Sequence, residues 1–272
     1  MKMKQITLQS SHTIPQIGLG TWQILDEDCT KIVKDAINVG YTHIDTALRY
    51  HNHRAIAKTI KGTLREKLFI TSKIWFDDLS YLGVKQQVER ILKELDTHYV
   101  DLCLIHWPNR EFNMKDTFQA FKELVDEGSV KSVGVSNFTI NHLKDTLEIS
   151  QVPICVNQVE FHYKLFQKEL LEFCNEHNIV VEAYSPLSHG EFLNDQAIIK
   201  LAEKYEKSPA QILLRWLIEK NIVIIPKTAH KERLVENILV YDFELSKEDH
   251  ELINSLNENK RIINPFFSDF DY

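Results

Sequence analysis

Short apolar runs of strand length alternate with longer stretches of helical periodicity along almost the whole chain. The runs Ile17–Gly20, Thr42–Asp45, Leu68–Ser72, Val100–Ile105, Val130–Val135, Ile154–Val159, Val180–Ala183 and Ile222–Ile225 are mostly dense in Val, Ile and Leu, with little polar alternation. That pattern predicts strands buried on both faces. Between them, Cys29–Val39, Leu82–Leu95, Asp116–Glu127 and Ser208–Lys220 carry apolar residues at helical spacing, and the last opens on a Ser cap with Pro209 at the first helical position. Ahead of the repeat, segments around Ile6–Leu8 and Thr13–Pro15 read as a short extended pair.

Strands joined by crossover helices make a parallel sheet. Eight such units predict an α/β fold, a closed (β/α)8 TIM barrel with a short N-terminal β-hairpin and a C-terminal helix and tail. An open doubly wound sheet would need a G-x-G-x-x-G turn after its first strand. Gly18-Leu19-Gly20-Thr21-Trp22-Gln23 has Gln at the third glycine position, and no helix opens there. Its glycines read instead as room for close approach of backbone or ligand. No Pro/Ser/Gly-rich linker divides the chain, so residues 1–272 are expected to form a single domain.

Composition narrows the function classes. A chain of 272 residues, 43% hydrophobic, can bury a sizeable core. Its net charge of -7, without a basic stripe, argues against a nucleic-acid partner. Nothing at the N-terminus reads as a signal peptide and no apolar run approaches the roughly 20 residues of a membrane span. A cytoplasmic protein without a membrane partner, acting as a monomer, is therefore expected. Cys29, Cys103, Cys155 and Cys174 stand alone without C-x-x-C spacing and read as reduced structural thiols.

Barrel enzymes place their chemistry at the carboxyl ends of the strands, so polar residues that close apolar runs are informative. Asp45, followed by Tyr50, then Lys73 and His106, do so in consecutive units and would converge on one rim. Each alone has an ordinary use: a turn, a solvated ammonium, a satisfied core imidazole. A Lys in a strand of apolar and hydroxyl residues is costly unless paired, however, and Asp45 on the adjacent strand is available. Together they make an acid site. The ammonium of Lys73 is expected to lower the phenol of Tyr50 from its ordinary value near 10. Asp45 would hold Lys73 charged, Tyr50 would donate a proton near neutral pH, and His106 would polarise a carbonyl oxygen. There is no G-x-S-x-G elbow, Walker loop or H-E-x-x-H pair. His51 and His53 are expected to be solvated, and no metal is expected.

These residues resemble the aldo-keto reductase family, and the resemblance runs nearly the whole chain. It is carried by Gly18-Leu19-Gly20-Thr21-Trp22, His43-Ile44-Asp45-Thr46-Ala47 with Tyr50 and Asn52, Leu104-Ile105-His106-Trp107-Pro108, Gly134-Val135-Ser136-Asn137-Phe138, Asn157-Gln158, Ala183-Tyr184-Ser185-Pro186-Leu187 and Ile225-Pro226-Lys227. The resemblance implies reduction of aldehydes and ketones by direct hydride transfer from NADPH, with Asp45, Tyr50, Lys73 and His106 as the catalytic tetrad and Tyr50 as general acid. It implies that a nicotinamide stacks on Tyr184 while Ser136, Asn137 and Gln158 hold its carboxamide. Gly20, Thr21, Trp22, Asp45, Ser185, Pro186, Leu187, Ile225 and Pro226 would line the rest of the cofactor site. At the adenine end stand Lys227, Thr228, Arg233, Glu236 and Asn237, where a helix start favours phosphate. The cations Lys227 and Arg233 suit a 2′-phosphate, hence NADPH over NADH, although a cationic helix start on a solvated face would look the same.

One departure is His53, where the family commonly has Glu; it puts the support of the loop after Tyr50 in question. Within the family, the short loops, Lys73-Ile74-Trp75 with its Asp-Asp-Leu-Ser turn, and the Lys260-Arg261-Ile262-Ile263-Asn264-Pro265 tail resemble bacterial 2,5-diketo-D-gluconate and methylglyoxal reductases. Small dicarbonyl substrates are implied. Trp22, Trp75 and Trp107 follow strands and are expected to wall the substrate cavity with Tyr50 and His106, with Phe266 and Phe267 as further candidates. Two other readings stand beside this one. A nicotinamide-binding sensor without useful turnover is disfavoured by the intact tetrad, and an NADH-preferring dehydrogenase is disfavoured by the two cations.

Overall fold

The computed structural model describes residues 3–272. Strands β1 (Gln5–Thr7) and β2 (Thr13–Pro15) pair antiparallel, with Ile6 opposite Ile14. The main sheet runs β3 (Leu19–Gly20), β4 (His43–Asp45), β5 (Phe69–Ile74), β6 (Leu102–Ile105), β7 (Val133–Ser136), β8 (Ile154–Glu160), β9 (Val180–Tyr184) and β10 (Val223–Ile224). Each strand is parallel to the next in sequence. The two ends of the sheet meet through parallel bridges Ile17–Ile224 and Gly20–Lys227, and through Gly18 N–H to the Ile224 carbonyl at 2.9 Å. The eight-stranded parallel barrel expected from the sequence is thus closed. A side chain at Gly20 would put its Cβ 2.7 Å from the Ile225 carbonyl oxygen, so closure itself requires glycine there.

The helices are α1 (Asp26–Val39), α2 (His53–Ile60), α3 (Tyr81–Leu95), α4 (Met114–Asp126), α5 (Ile140–Ile149), α6 (Lys168–Glu176), α7 (Gln196–Tyr205), α8 (Pro209–Glu219), α9 (Lys231–Ile238) and α10 (Lys247–Ser255). Helix α8 begins as expected, with Ser208 and Gln211 closing a reciprocal capping box and Pro209 next. Helix α1 starts three residues before the apolar pattern does, because its first turn is Asp26-Glu27-Asp28, which favours the helix dipole without adding periodicity. Val100 and Val130 pair only with one another, below the ladders that begin at Leu102 and Val133, so those strands start later than their apolar runs. All four cysteines are free and buried, as expected.

The hairpin seals one end of the barrel. Ile6, Leu8 and Ile14 pack on Phe69, Leu102, Leu104, Cys155, Val156 and Val223 in a cluster separate from the larger core, which is built largely of helix faces and the outer sheet surface. The carboxyl ends of the strands form the opposite mouth. Over that mouth runs the tail after α10: Lys260 N–H bonds the Lys164 carbonyl, Ile262 and Ile263 N–H bond the buried Glu160 carboxylate at 2.7 and 2.8 Å, and Asp269 meets Arg110 and His142. Among the described residues no helix is long and apolar enough to cross a membrane.

Candidate active site

Asp45 ends β4 and Lys73 lies near the end of β5, both inside the barrel and both buried. Lys73 Nζ donates to Asp45 Oδ1 at 2.6 Å and Oδ2 at 2.8 Å, to the Thr46 carbonyl at 3.1 Å, and to the Tyr50 hydroxyl at 3.4 Å. An ammonium this deep is tolerable only with such partners. Burial presses its pKa down, but Asp45 and Tyr50 outweigh that and the net shift is upward, so Lys73 stays charged. Tyr50 closes a 3-10 turn, Leu48–Tyr50, whose position is set by Asn52. The Asn52 amide accepts from the Thr46 hydroxyl at 2.6 Å and donates to the carbonyls of Thr21 and Ile24, each at 3.0 Å.

The expected lowering of the Tyr50 phenol does not hold. Burial raises it, Lys73 opposes, and Asp45 and Glu182 raise it further, leaving a net upward shift. The first physical reason is burial, and the one ammonium that opposes it is already bonded to Asp45. At neutral pH Tyr50 therefore keeps its proton.

The His106 ring lies 5.6 Å from that of Tyr50 and 5.1 Å from that of Trp75. Burial and then Lys73 hold its pKa well below the ordinary value, so the ring is neutral. Its Nδ1 is buried without a partner. A lone acceptor costs less there than a lone N–H, which assigns the proton to Nε2.

The other half of the rim comes from β7, β8 and β9. Asn137 adopts φ 65°, a left-handed conformation that Asn tolerates, and its amide donates to the His106 carbonyl at 3.0 Å. Its Oδ1 accepts from the Tyr184 hydroxyl at 2.8 Å, and Ser136 Oγ donates to the Gln158 carbonyl at 2.8 Å. Gln158 Nε2 donates to Asp45 Oδ2 at 2.8 Å and to Glu182 Oε2 at 2.7 Å. Both of its N–H groups are used, and its Oε1 meets no protein donor among the described residues. An amide oxygen left free on the rim, beside the half-buried ring of Tyr184, fits a carboxamide-bearing cofactor. Beyond it, Ser185 takes φ 48°, followed by Pro186 and Leu187. Ile225 and Pro226 pass over the β3 end, where Gly20 N–H bonds the Pro226 carbonyl and buried Thr21 donates to the Asp45 carbonyl at 2.8 Å. Lys227 and Arg233 are exposed, Thr228 and Asn237 buried, and Glu236 is held by the Ser208 hydroxyl.

Of the expected cavity walls, Trp75 and Trp107 come together through Phe267, whose ring lies 5.6 and 5.3 Å from theirs. Phe266 is fully exposed and contributes no wall. Trp22 stands apart from these rings and meets His189 instead, at 5.9 Å. His51 is exposed as expected, but His53 is buried, a correction. Its Nδ1 donates to Glu94 Oε2 at 3.1 Å and its Nε2 accepts from the Ser72 hydroxyl at 3.0 Å. The ring is buried because Glu94 and Ser72 satisfy both of its nitrogens away from solvent. Sequence reasoning missed Glu182, fully buried in β9, and Glu160, which holds the tail. The available signal for Glu182 was the same as for Lys73: a charged residue inside an apolar strand.

A family profile described as "Aldo/keto reductase family" matches residues 16–258. A glyoxal reductase of Bacillus subtilis is 41% identical over 260 residues, covering 94% of each chain. The crystal structure of an aldo-keto reductase from a Medee basin deep-sea metagenome library superposes with a TM-score of 0.93 at 40% identity, covering 97% of this chain and 98% of that one. A Bombyx mori aldo-keto reductase solved in complex with NADP gives a TM-score of 0.91 at 32% identity, covering 97% and 96%.

Proposed function

Because the chain belongs to the aldo/keto reductase family, we propose that it reduces small dicarbonyls, methylglyoxal and glyoxal foremost and 2,5-diketo-D-gluconate as a further candidate, with Tyr50 as the acid. The enzyme is an NADP(H)-dependent carbonyl reductase. The observation that carries the choice of acid is the buried Lys73 ammonium, bonded to Asp45 and reaching the Tyr50 hydroxyl.

NADPH, when bound, supplies the hydride that reduces the carbonyl carbon. Ser136, Asn137 and Gln158 would hold its carboxamide and Tyr184 the ring face. Gly20, Thr21, Trp22, Ser185, Pro186, Leu187, Ile225 and Pro226 would border its middle. Lys227, Thr228, Arg233, Glu236 and Asn237 would meet the adenosine end, where α9 begins with no side-chain cap and offers free amides.

The chain's own work is to hold the carbonyl oxygen and give it a proton. The Tyr50 hydroxyl and the Nε2–H of neutral His106 are the two donors available to that oxygen. As negative charge grows there, both bonds strengthen, which is where preorganised donors lower a barrier. The proton then passes from Tyr50 to the oxygen. An alkoxide is a far stronger base than a phenolate, so the transfer is downhill even from a phenol raised by burial. Lys73 stabilises the phenolate left behind until solvent returns its proton, and Asp45 keeps Lys73 in place. Trp75, Trp107 and Phe267 supply an apolar wall suited to a small carbonyl compound.

The reading includes a monomer in the cytoplasm, a compartment supported by four free buried thiols. NADPH consumption across a panel of aldehydes, ketones and dicarbonyls tests it: dicarbonyls should give the highest kcat/KM, and uniformly negligible turnover across the panel would sink it.

A further inference from the structure

The chemistry above gives no task to Glu182, which is fully buried in the barrel interior. It pairs in register with Gln158 on β8 and with Val223 on β10. With Asp45 it takes both N–H groups of the Gln158 amide, at 2.7 and 2.8 Å. Asp45, bonded to the Lys73 ammonium, can accept only from the amide nitrogen, and Glu182 Oε2 takes the second N–H, so the amide oxygen is turned away from both. Were either acceptor absent, the amide could flip and present N–H to the rim instead.

The surroundings also leave this carboxyl short of counter-charge. Asp45 and His43 face it from β4, Lys73 from β5 and Tyr50 from the 3-10 turn, while β8 and β10 offer only neutral Gln158 and Val223. One ammonium serves two carboxyls, and its bonds go to Asp45. His43 supplies no second cation: it lies 3.6 Å away, but burial presses its pKa down to about 3. Burial and then Asp45 accordingly push Glu182 up to about 8, so it carries a proton at neutral pH.

We propose that Glu182 is a positioning residue that locks the Gln158 amide oxygen toward the nicotinamide carboxamide and, on losing its proton, adds a second negative charge to the wall of the nicotinamide site. This rests on the reading that Gln158 borders the nicotinamide. The oxidised ring is cationic and the reduced ring neutral, whereas both cofactors carry the same phosphates. The ratio Kd(NADP+)/Kd(NADPH) therefore cancels phosphate titration and reports charge near the ring.

The test is that ratio, measured by quenching of protein fluorescence from about pH 6.5 to about pH 9.5, a span that brackets the Glu182 titration. In the parent protein the ratio should fall about threefold or more as pH rises. Glu182→Gln keeps an acceptor for Gln158 but cannot ionise, and its ratio should stay flat. Glu182→Leu removes the acceptor and should raise Kd for NADPH about tenfold while changing kcat at saturating cofactor less, with Glu182→Gln rescuing most of the loss. A second readout needs no cofactor. A carboxyl raised on folding contributes stability that is complete below about 4.5 and lost as pH rises through about 8, so Glu182→Gln should remove that part of the decline in urea stability between about pH 4.5 and about pH 8. A parent ratio that does not change with pH, or the same slope in Glu182→Gln, overturns the proposal. Absence of binding by either cofactor overturns the underlying reading as well, which separates the two failures.

Discussion

His53 lies between helix and barrel with its Nε2 3.0 Å from Ser72 Oγ, one residue before Lys73, and its Nδ1 bonded to Glu94 on α3. The ring ties the loop that carries Tyr50 to the strand that carries Lys73. His53→Ala should cost about 1–3 kcal/mol, from two lost hydrogen bonds and a buried void. It should also lower kcat/KM, since the Tyr50–Lys73 spacing depends on the same contact. Urea denaturation and steady-state kinetics on one preparation check both; unchanged stability would show that the link carries no weight.

Acid should loosen the fold through imidazoles buried in the neutral state. Burial holds His43 down to about 3 and also lowers His53 and His106. The unfolded chain takes up these protons near 6.5 and the folded one does not, so stability falls as pH drops from about 6.5 toward about 3. Glu94 adds a loss at the low end: held down to about 2 first by its bond to His53, it contributes stability that is present above about 4.5 and disappears through about 2. Urea midpoints across this range should decline, and a His43→Gln variant that folds should decline less steeply between pH values near 6.5 and 3.

At the adenine end, Lys227 and Arg233 are exposed and set beside the uncapped start of α9. Arg233→Ala should raise KM for NADPH about tenfold or more, the size of a lost charge-assisted phosphate contact, and leave KM for NADH nearly unchanged. Equal KM values for the two cofactors in the parent protein would refute the 2′-phosphate assignment.

The tail contributes to the substrate wall through Phe267, which touches Trp75, Phe76 and Trp107, and is held by Asp269 to Arg110 and His142. Phe267→Ala should raise KM for methylglyoxal several-fold, with Kd for NADPH unaffected. A matching change in cofactor affinity would place Phe267 elsewhere in the site.

Much of this architecture was legible in the sequence because barrel strands are apolar on both faces, so a polar residue at their ends stands out. Asp45, Lys73 and His106 are readable for that reason. Charge inside a strand was equally visible at Glu182, but its meaning depends on Gln158 sitting opposite in register, which periodicity does not reveal. The phenol of Tyr50 departs from expectation because burial raises it and the Lys73 charge that opposes burial is divided among partners. His53 was misjudged because helix α2 is short and its apolar face includes the imidazole. Glu160 gave no sign of its role: it accepts from backbone N–H groups of residues 262 and 263, contacts about a hundred residues apart along the chain.

The central claim is that Tyr50 gives the proton and that the other groups prepare it to do so. The most direct measurement is NADPH oxidation with methylglyoxal by Tyr50→Phe, together with fluorescence titration of NADPH on the same preparation. The account predicts a fall in kcat of about 10²- to 10⁴-fold with Kd for NADPH kept within about twofold. Turnover equal to that of the parent protein would contradict it and move the acid to another group.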